Sequence, residues 1–429
     1  MRRSWLLAGT ILGMAVVPHG AWAATNAQIV NAIDSGLSYL ASTQQADGSW
    51  SYGGYDQAAT GAVIGAFMSQ KSLWGSNAAA YQTIVNNGMN YLLGSASTSV
   101  LPTNRGDGNN PCVGSAGCTG VYWYGNGEAT YTTGIVAAAI GQVGAANPNA
   151  IATTSGPLAG MSYEEIGQGI INEYASGQAT TSNQQWSGAA GGWRYFPGQS
   201  SGTGDADGST TQWAVISMIY GQSLGATVPQ YVKTGLTQWL AFDQAPNGSA
   251  CYQGPGSGLC EMSDTGSLLI GLALEGRGKT DPQAVAALNF LNSNWQSTAN
   301  STWYGNFGQP YAMWADYKAL ELQLGLTDNS TITNLGSCGT LDAGVTCNWW
   351  ENYNEWLVDN QNGNGSWNGY GYWTDPLSTA WDVSILGGTV IPPPTTVPEP
   401  ATWVMMLAGL AGLGFVGRRA HKERLAGAL

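Results

Sequence analysis

Apolar residues recur every three to four positions from Gln28 to Gln44, with Ile29, Ile33, Leu37 and Leu40 on one face. That spacing predicts an amphipathic helix. The next candidate, Gln57 to Ser69, is different: Ala, Gly, Val and Ile run nearly all round it. A helix of that kind is buried on most sides. The alternation then repeats. Ala80–Gly94 is followed by Ala129–Gln142, Ser162–Gly177 by Thr210–Gly225, and Gln230–Phe242 by Thr265–Gly276. Pro282–Asn294 is followed by Pro310–Gly325, and Cys347–Asn360 by Pro376–Gly387. Ser162-x-x-Glu165 supplies a capping box at the start of one of them. Six amphipathic helices alternating with six more uniformly apolar ones predict an all-α fold. The arrangement that fits is an α6/α6 double ring, outer helices around inner ones, over residues 24–390. A linear stack of helix pairs is the competing geometry.

The turns repeat as well. Asp47-Gly48-Ser49-Trp50, Gly191-Gly192-Trp193, Asn247-Gly248-Ser249 and Asn364-Gly365-Ser366-Trp367 occupy similar places. Gly after Asn or Asp gives a turn at low steric cost. The following Trp is suited to plug the gap between helix pairs. Gln45-Ala46-Asp47-Gly48-Ser49-Trp50 and Gln361 to Trp367 resemble the Gln-x-x-x-Gly-x-Trp repeats of squalene–hopene cyclases and their relatives. The resemblance spans about residues 27–390. It implies the α/α toroid that those enzymes share with the protein prenyltransferases. In that family the repeats are structural ties.

The two ends read as addresses. Residues 1–23 have the form of a secretory signal peptide: Arg2 and Arg3, an apolar stretch from Trp5 to Val17, and Ala21-Trp22-Ala23 as a cleavage site for signal peptidase. At the other end, residues 391–396 form a Pro-rich spacer, and residues 397–429 hold Pro398-Glu399-Pro400, an apolar run from Ala401 to Gly417, and Arg418, Arg419, Lys422 and Arg424. Seventeen helical residues span about 25 Å, the short limit for crossing a bilayer. This tail resembles the PEP-CTERM sorting signal. The resemblance implies a transmembrane helix before processing, cleavage by an exosortase, and delivery to the envelope, outer surface or extracellular matrix of a Gram-negative bacterium. A permanent anchor is the alternative.

Charge narrows the partners. Outside the two ends the chain keeps 7 of its 13 basic and 24 of its 26 acidic residues, a formal charge of −17. With no basic surface to neutralise phosphates, nucleic acid is excluded as a partner. Both histidines, His19 and His421, lie in the ends. The body therefore has no Ser-His-Asp or Cys-His nucleophile and no His-containing zinc site. No metal and no cofactor are expected. Six cysteines fall in three local pairs, Cys112 with Cys118, Cys251 with Cys260, and Cys338 with Cys347. An exported chain makes these disulfides that staple loops.

Acidic and hydroxyl residues open the inner helices: Asp56, Glu128, Asp205, Asp207, Asp264 and Asp375. In a toroid these starts converge on one end of the central cavity. The plain reading of each is a helix cap. Asp205-Ala206-Asp207-Gly208 resembles the Asp-x-Asp-Asp of class II triterpene cyclases, with Asp207 as the middle, alkene-protonating Asp. It departs at Gly208, and the assisting His of those enzymes has no counterpart. Asp-x-Asp-Gly also resembles the opening of a calcium loop, but no ligand-spaced Glu follows. Zinc prenyltransferase chemistry lacks its His ligand. Beside the acids, Tyr122, Trp123, Trp303, Tyr372 and Trp373 lie in polar Gly/Asn loops, where their faces can stack on a ligand.

Three functions follow from these features. The first is an exported surface protein whose ring cavity binds a neutral glycan, peptide or lipid. The second is a carboxylate-only glycoside hydrolase using two of Asp56, Glu128, Asp207 and Asp264. The third is a cyclase with Asp207 as acid.

Overall fold

The computed structural model describes residues 24–105, 107–112, 117–180, 190–196, 206–300, 304–336 and 346–388. The N-terminal leader, the Pro-rich spacer, the apolar tail and the Pro398-Glu399-Pro400 motif lie outside them. So do Asp205, Trp303 and Cys338.

Twelve α-helices run through the described residues, all at the places the periodicity predicts. The outer set is α1 (Asn26–Ser42), α3 (Ala78–Gly94), α5 (Tyr163–Gly177), α7 (Gln230–Asp243), α9 (Pro282–Asn294) and α11 (Trp349–Asp359). The inner set is α2 (Asp56–Ser69), α4 (Ala129–Gly144), α6 (Gly208–Ser223), α8 (Met262–Leu274), α10 (Pro310–Leu324) and α12 (Leu377–Gly387). Local chemistry starts many of them. Capping boxes open α1 (Thr25 with Gln28) and α5 (Ser162 with Glu165), and Asp281, Gln309 and Asn348 accept from the first free N–H groups of α9, α10 and α11.

The inner helices pack in sequence, α2 on α4, then α6, α8, α10 and α12, and α12 closes back onto α2. The stack of pairs is therefore a ring. Small residues allow the close approach. A Cβ on Gly61 of α2 would lie 3.0 Å from the Val136 Cα of α4, and one on Gly266 of α8 would lie 2.9 Å from the Ala315 carbonyl carbon of α10. Trp213, Trp314 and Trp381 fill the centre of the ring, with Trp213 stacked on Trp314 at 4.6 Å and on Trp381 at 5.9 Å between ring centroids. All three are buried.

One tie repeats round the ring. At the turn before an inner helix, a backbone N–H donates to a threonine hydroxyl in that helix's first or second turn. The pairs are Trp50 with Thr60, Trp123 with Thr133, Trp193 with Thr211, Ala250 with Thr265 and Trp367 with Thr379, at 2.9–3.1 Å. The indole N–H of Trp50, Trp123, Trp193 and Trp367 donates to the carbonyl of Leu40, Leu92, Tyr174 and Leu357 respectively, at 2.7–2.8 Å. A glutamine then joins four of these turns, all but that of Trp123, to the next outer helix. Gln44 donates to the Ile84 carbonyl, Gln178 to Val232, Gln244 to Gln283 and Gln361 to Ala32. The Gln361 bond joins the last helix pair to the first. The tie at the first turn is made by Gln44, one residue before the Gln45 that the motif suggests.

Two short hairpins, which helical periodicity does not reveal, join α3 to α4 and α7 to α8. β1 (Ser97–Leu101) pairs antiparallel with β2 (Cys118–Tyr122), and β3 (Ala250–Cys251) with β4 (Cys260–Glu261). Disulfides Cys112–Cys118 and Cys251–Cys260 staple them. Cys347 is also disulfide-bonded. Among the described residues no helix is long and apolar enough to cross a membrane.

Candidate functional site

Each inner helix starts at the same end of the ring. Ala58, Tyr131, Ser209, Asp264, Tyr311 and Leu377, one from the first turns of each, line a single cavity of about 1000 Å³. The floor and one wall are aromatic. Trp373 stacks on Tyr311 with ring centroids 4.6 Å apart and planes 14° apart, and Tyr131 packs against both Trp373 and Tyr195. Tyr52, Tyr55, Tyr252, Tyr304 and Tyr372 complete the rim. The carboxyl groups of Glu128, Glu261, Asp264 and Asp375 lie among them, and among the described residues no Lys, Arg or His lines the bowl.

Glu128 immediately precedes α4, caps nothing there, and faces the bowl half-buried. Burial pushes its carboxyl up, partly offset by a hydrogen bond with Tyr55. Asp375 accepts from the hydroxyls of Tyr39 and Thr379, both at 2.5 Å, and also lines the bowl. The Tyr39 hydroxyl is pushed up to about 12 by that bond.

Glu261 and Asp264 are the most enclosed pair. Glu261 caps α8: its carboxylate accepts from the backbone N–H of Ser263 at 2.8 Å, the N–H of Asp264 at 2.8 Å and the Ser263 hydroxyl. Burial pushes Glu261 up against those donors. Asp264, 3% exposed, sits in hydrogen-bond contact with it. Burial, then the neighbouring Glu261, Asp243 and Asp207, push Asp264 well above the ordinary carboxylate range. Its Oδ1 has no hydrogen-bond partner.

Asp207 stands outside this group. It is fully buried, caps α6 through the Thr210 N–H at 2.7 Å, accepts from the Ser209 hydroxyl at 2.6 Å, and is ion-paired with Arg194. Arg194 in turn lies over the rings of Tyr195 and Tyr252. Burial pushes the Asp207 carboxyl up; Arg194 pulls the other way. With both carboxyl oxygens engaged and no place in the bowl lining, Asp207 is a cap and an anchor for Arg194. Asp56, on the first turn of α2, accepts from the Tyr52 N–H at 2.6 Å and shapes the Tyr52 loop without lining the bowl.

Of the five aromatic candidates, Tyr372 and Trp373 line the bowl, Tyr372 at 78% exposure. Trp123 is corrected: it is fully buried, and its indole is one of the repeated wedges. Tyr122 lies in β2, away from the bowl lining. Glu261 and the Tyr131–Tyr311 wall had no signal beyond their position at helix starts. Among the described residues no group of three or more His, Cys, Asp or Glu side chains is placed to hold a metal ion.

Residues 396–420 match the PEP-CTERM protein-sorting motif, the recognition signal for exosortase processing, which marks export and association with the Gram-negative cell envelope or surface. No curated protein matches the chain. Among solved structures, the type II terpene cyclase MstE from Scytonema, in its apo form, aligns over 84% of this chain and 98% of its own, with 13% identity and a TM-score of 0.45. At that distance the likeness says nothing about chemistry.

Proposed function

We propose that the protein is an exported binding module, carried to the cell surface or extracellular matrix by its sorting tail, that holds a neutral glycan in the bowl of the ring. The observation that carries this reading is the bowl itself. An aromatic wall, partly exposed Trp373 stacked on buried Tyr311 with exposed Tyr372 at the rim, shares the bowl with carboxyl and hydroxyl groups. Aromatic faces stack on the apolar faces of sugar rings, and the polar groups meet their hydroxyls. Two features weigh against a polyisoprenoid chain: the centre of the ring is filled by tryptophan, and the bowl carries four carboxyl groups. The cap-and-ion-pair role of Asp207 weighs against cyclisation. The test is binding of a panel of neutral oligosaccharides to the purified protein and to a Tyr372→Ala/Trp373→Ala variant whose circular dichroism is unchanged. Binding that survives both substitutions refutes the site.

A second reading, a carboxylate-only glycoside hydrolase, is favoured by one observation. Three bowl carboxyls, Glu128, Glu261 and Asp264, are pushed up by burial, as a general acid requires. Release of reducing ends from a bound oligosaccharide, lost in Asp264→Asn, supports it. Intact oligosaccharide after prolonged incubation excludes it.

A further inference from the structure

We propose that Glu261 and Asp264 share one proton and act together as the specificity element of the bowl, accepting a hydroxyl-bearing, uncharged sugar and rejecting an acidic one. This rests on the glycan reading above and adds the class of glycan.

The argument starts from donors. Glu261 receives three, from the Ser263 N–H, the Ser263 hydroxyl and the Asp264 N–H. Those donors favour the ionised form. Asp264 receives no cation. Arg194, the cation paired with neighbouring Asp207, is engaged there. The groups facing Asp264 from the neighbouring elements are the carboxyls of Asp207 at α6 and Asp243 on α7 and the phenol of Tyr311 on α10. Asp243 is itself fully enclosed, accepting from the Gly254 N–H, and burial pushes it well up. Two carboxyls in hydrogen-bond contact in such a place cannot both ionise. The proton stays on Asp264 and is donated to Glu261. The pair then carries one negative charge in place of two.

This arrangement has two consequences for a ligand. A neutral sugar meets a polar wall of low charge that accepts hydroxyl protons. A ligand carboxylate or sulfate meets the fixed charge of Glu261, with Glu128 and Asp375 across the bowl and no cation in the lining. Like charges facing each other across an enclosed site are disfavoured strongly enough to set specificity.

The experiment has two arms. In the first, infrared difference spectra of the ligand-free protein against Asp264→Asn are recorded in neutral buffer. A protonated carboxyl stretch present in the wild type and absent from the variant is expected. A purely carboxylate difference overturns the shared proton whatever the ligand is. In the second, calorimetry compares neutral cello- and manno-oligosaccharides with oligogalacturonate. Neutral sugars are expected to bind at least about tenfold tighter than the acidic one. Glu261→Gln/Asp264→Asn, which removes the charge, is expected to narrow that gap. Equal binding of acidic and neutral sugars, or an unchanged gap in the double variant, overturns the specificity role. If no sugar binds while the infrared signature is present, the glycan reading fails and with it the assigned specificity, while the shared proton stands.

Discussion

Replacing Gly365 with Ala attacks the ring at the seam where its last helix pair meets its first. Gly365 has φ of 94°, and a Cβ there would overlap the carbonyl oxygen of Ser35 on α1. Two costs combine. Holding a non-glycine residue in the left-handed region costs about 1–2 kcal/mol. Forcing a methyl group into backbone with no room to yield costs about 1–3 kcal/mol more. The shift that relieves the overlap also stretches the Gln361–Ala32 tie, worth about 1 kcal/mol. The sum is about 3–6 kcal/mol. Gly363 has nothing within 4 Å of its Cβ position, so Gly363→Ala is the matched control. Urea unfolding with disulfides intact measures the loss, and hydrogen exchange locates it. Exchange should rise in α1, α11 and α12 before it rises in α6 and α8. A Gly365→Ala protein within about 0.5 kcal/mol of the control, or with exchange spread evenly, refutes the view that this seam closes the ring.

Four further outcomes are expected. Trp123→Phe deletes the indole bond to the Leu92 carbonyl, which keeps its bonds from the Ser95 N–H and hydroxyl, so it costs about 0.5–1.5 kcal/mol in chemical unfolding while leaving oligosaccharide affinity unchanged. Stability falls as pH rises above the ordinary carboxylate range: buried Asp243, Asp264, Asp316 and Asp382 are pushed up by desolvation, so the unfolded chain loses these protons first. The opposing groups, Asp47, Asp107, Asp281 and Asp328 (about 2), are mostly exposed and screened, so melting followed against pH should peak in mild acid, and a peak in alkaline buffer contradicts this. Reduction of Cys251–Cys260 loosens the hairpin that carries Tyr252, Leu259 and Glu261 into the bowl, so oligosaccharide affinity should drop while the far-ultraviolet circular dichroism is retained. Deleting residues 397–429 removes the sorting motif, and fractionation should then find the protein no longer retained at the envelope.

The helices were legible because the core of the fold is periodic. Ile29, Ile33, Leu37 and Leu40 on α1, and the all-round apolar run of α2, each state their burial in the chain order itself. Closure of the ring was only suggested by the turns, since it depends on contacts such as Gln361 to Ala32 that join distant parts of the chain. Trp123 was misread for a physical reason. Its flanking Gly and Asn residues describe an exposed loop, whereas its burial is decided by the Thr133 hydroxyl and the Leu92 carbonyl, which lie on other elements. The recurring Thr in the early turns of the inner helices was the signal that would have placed it. The bowl was foreseen as a meeting of helix starts, and Glu128, Asp264, Tyr372 and Trp373 line it. Asp207 and Asp56 turn to local hydrogen bonds instead. Which carboxyls face a shared cavity depends on side-chain rotamers and on neighbours a ring apart, and neither is written in local spacing.

The most direct measurement is oxidative footprinting of the purified protein with and without a bound neutral oligosaccharide, read residue by residue by mass spectrometry. Protection of Tyr372 and Trp373, with Tyr124 and Val100 outside the bowl unchanged, is the predicted result. Protection confined to residues outside the bowl, or sugar binding that leaves Tyr372 and Trp373 as reactive as before, contradicts it.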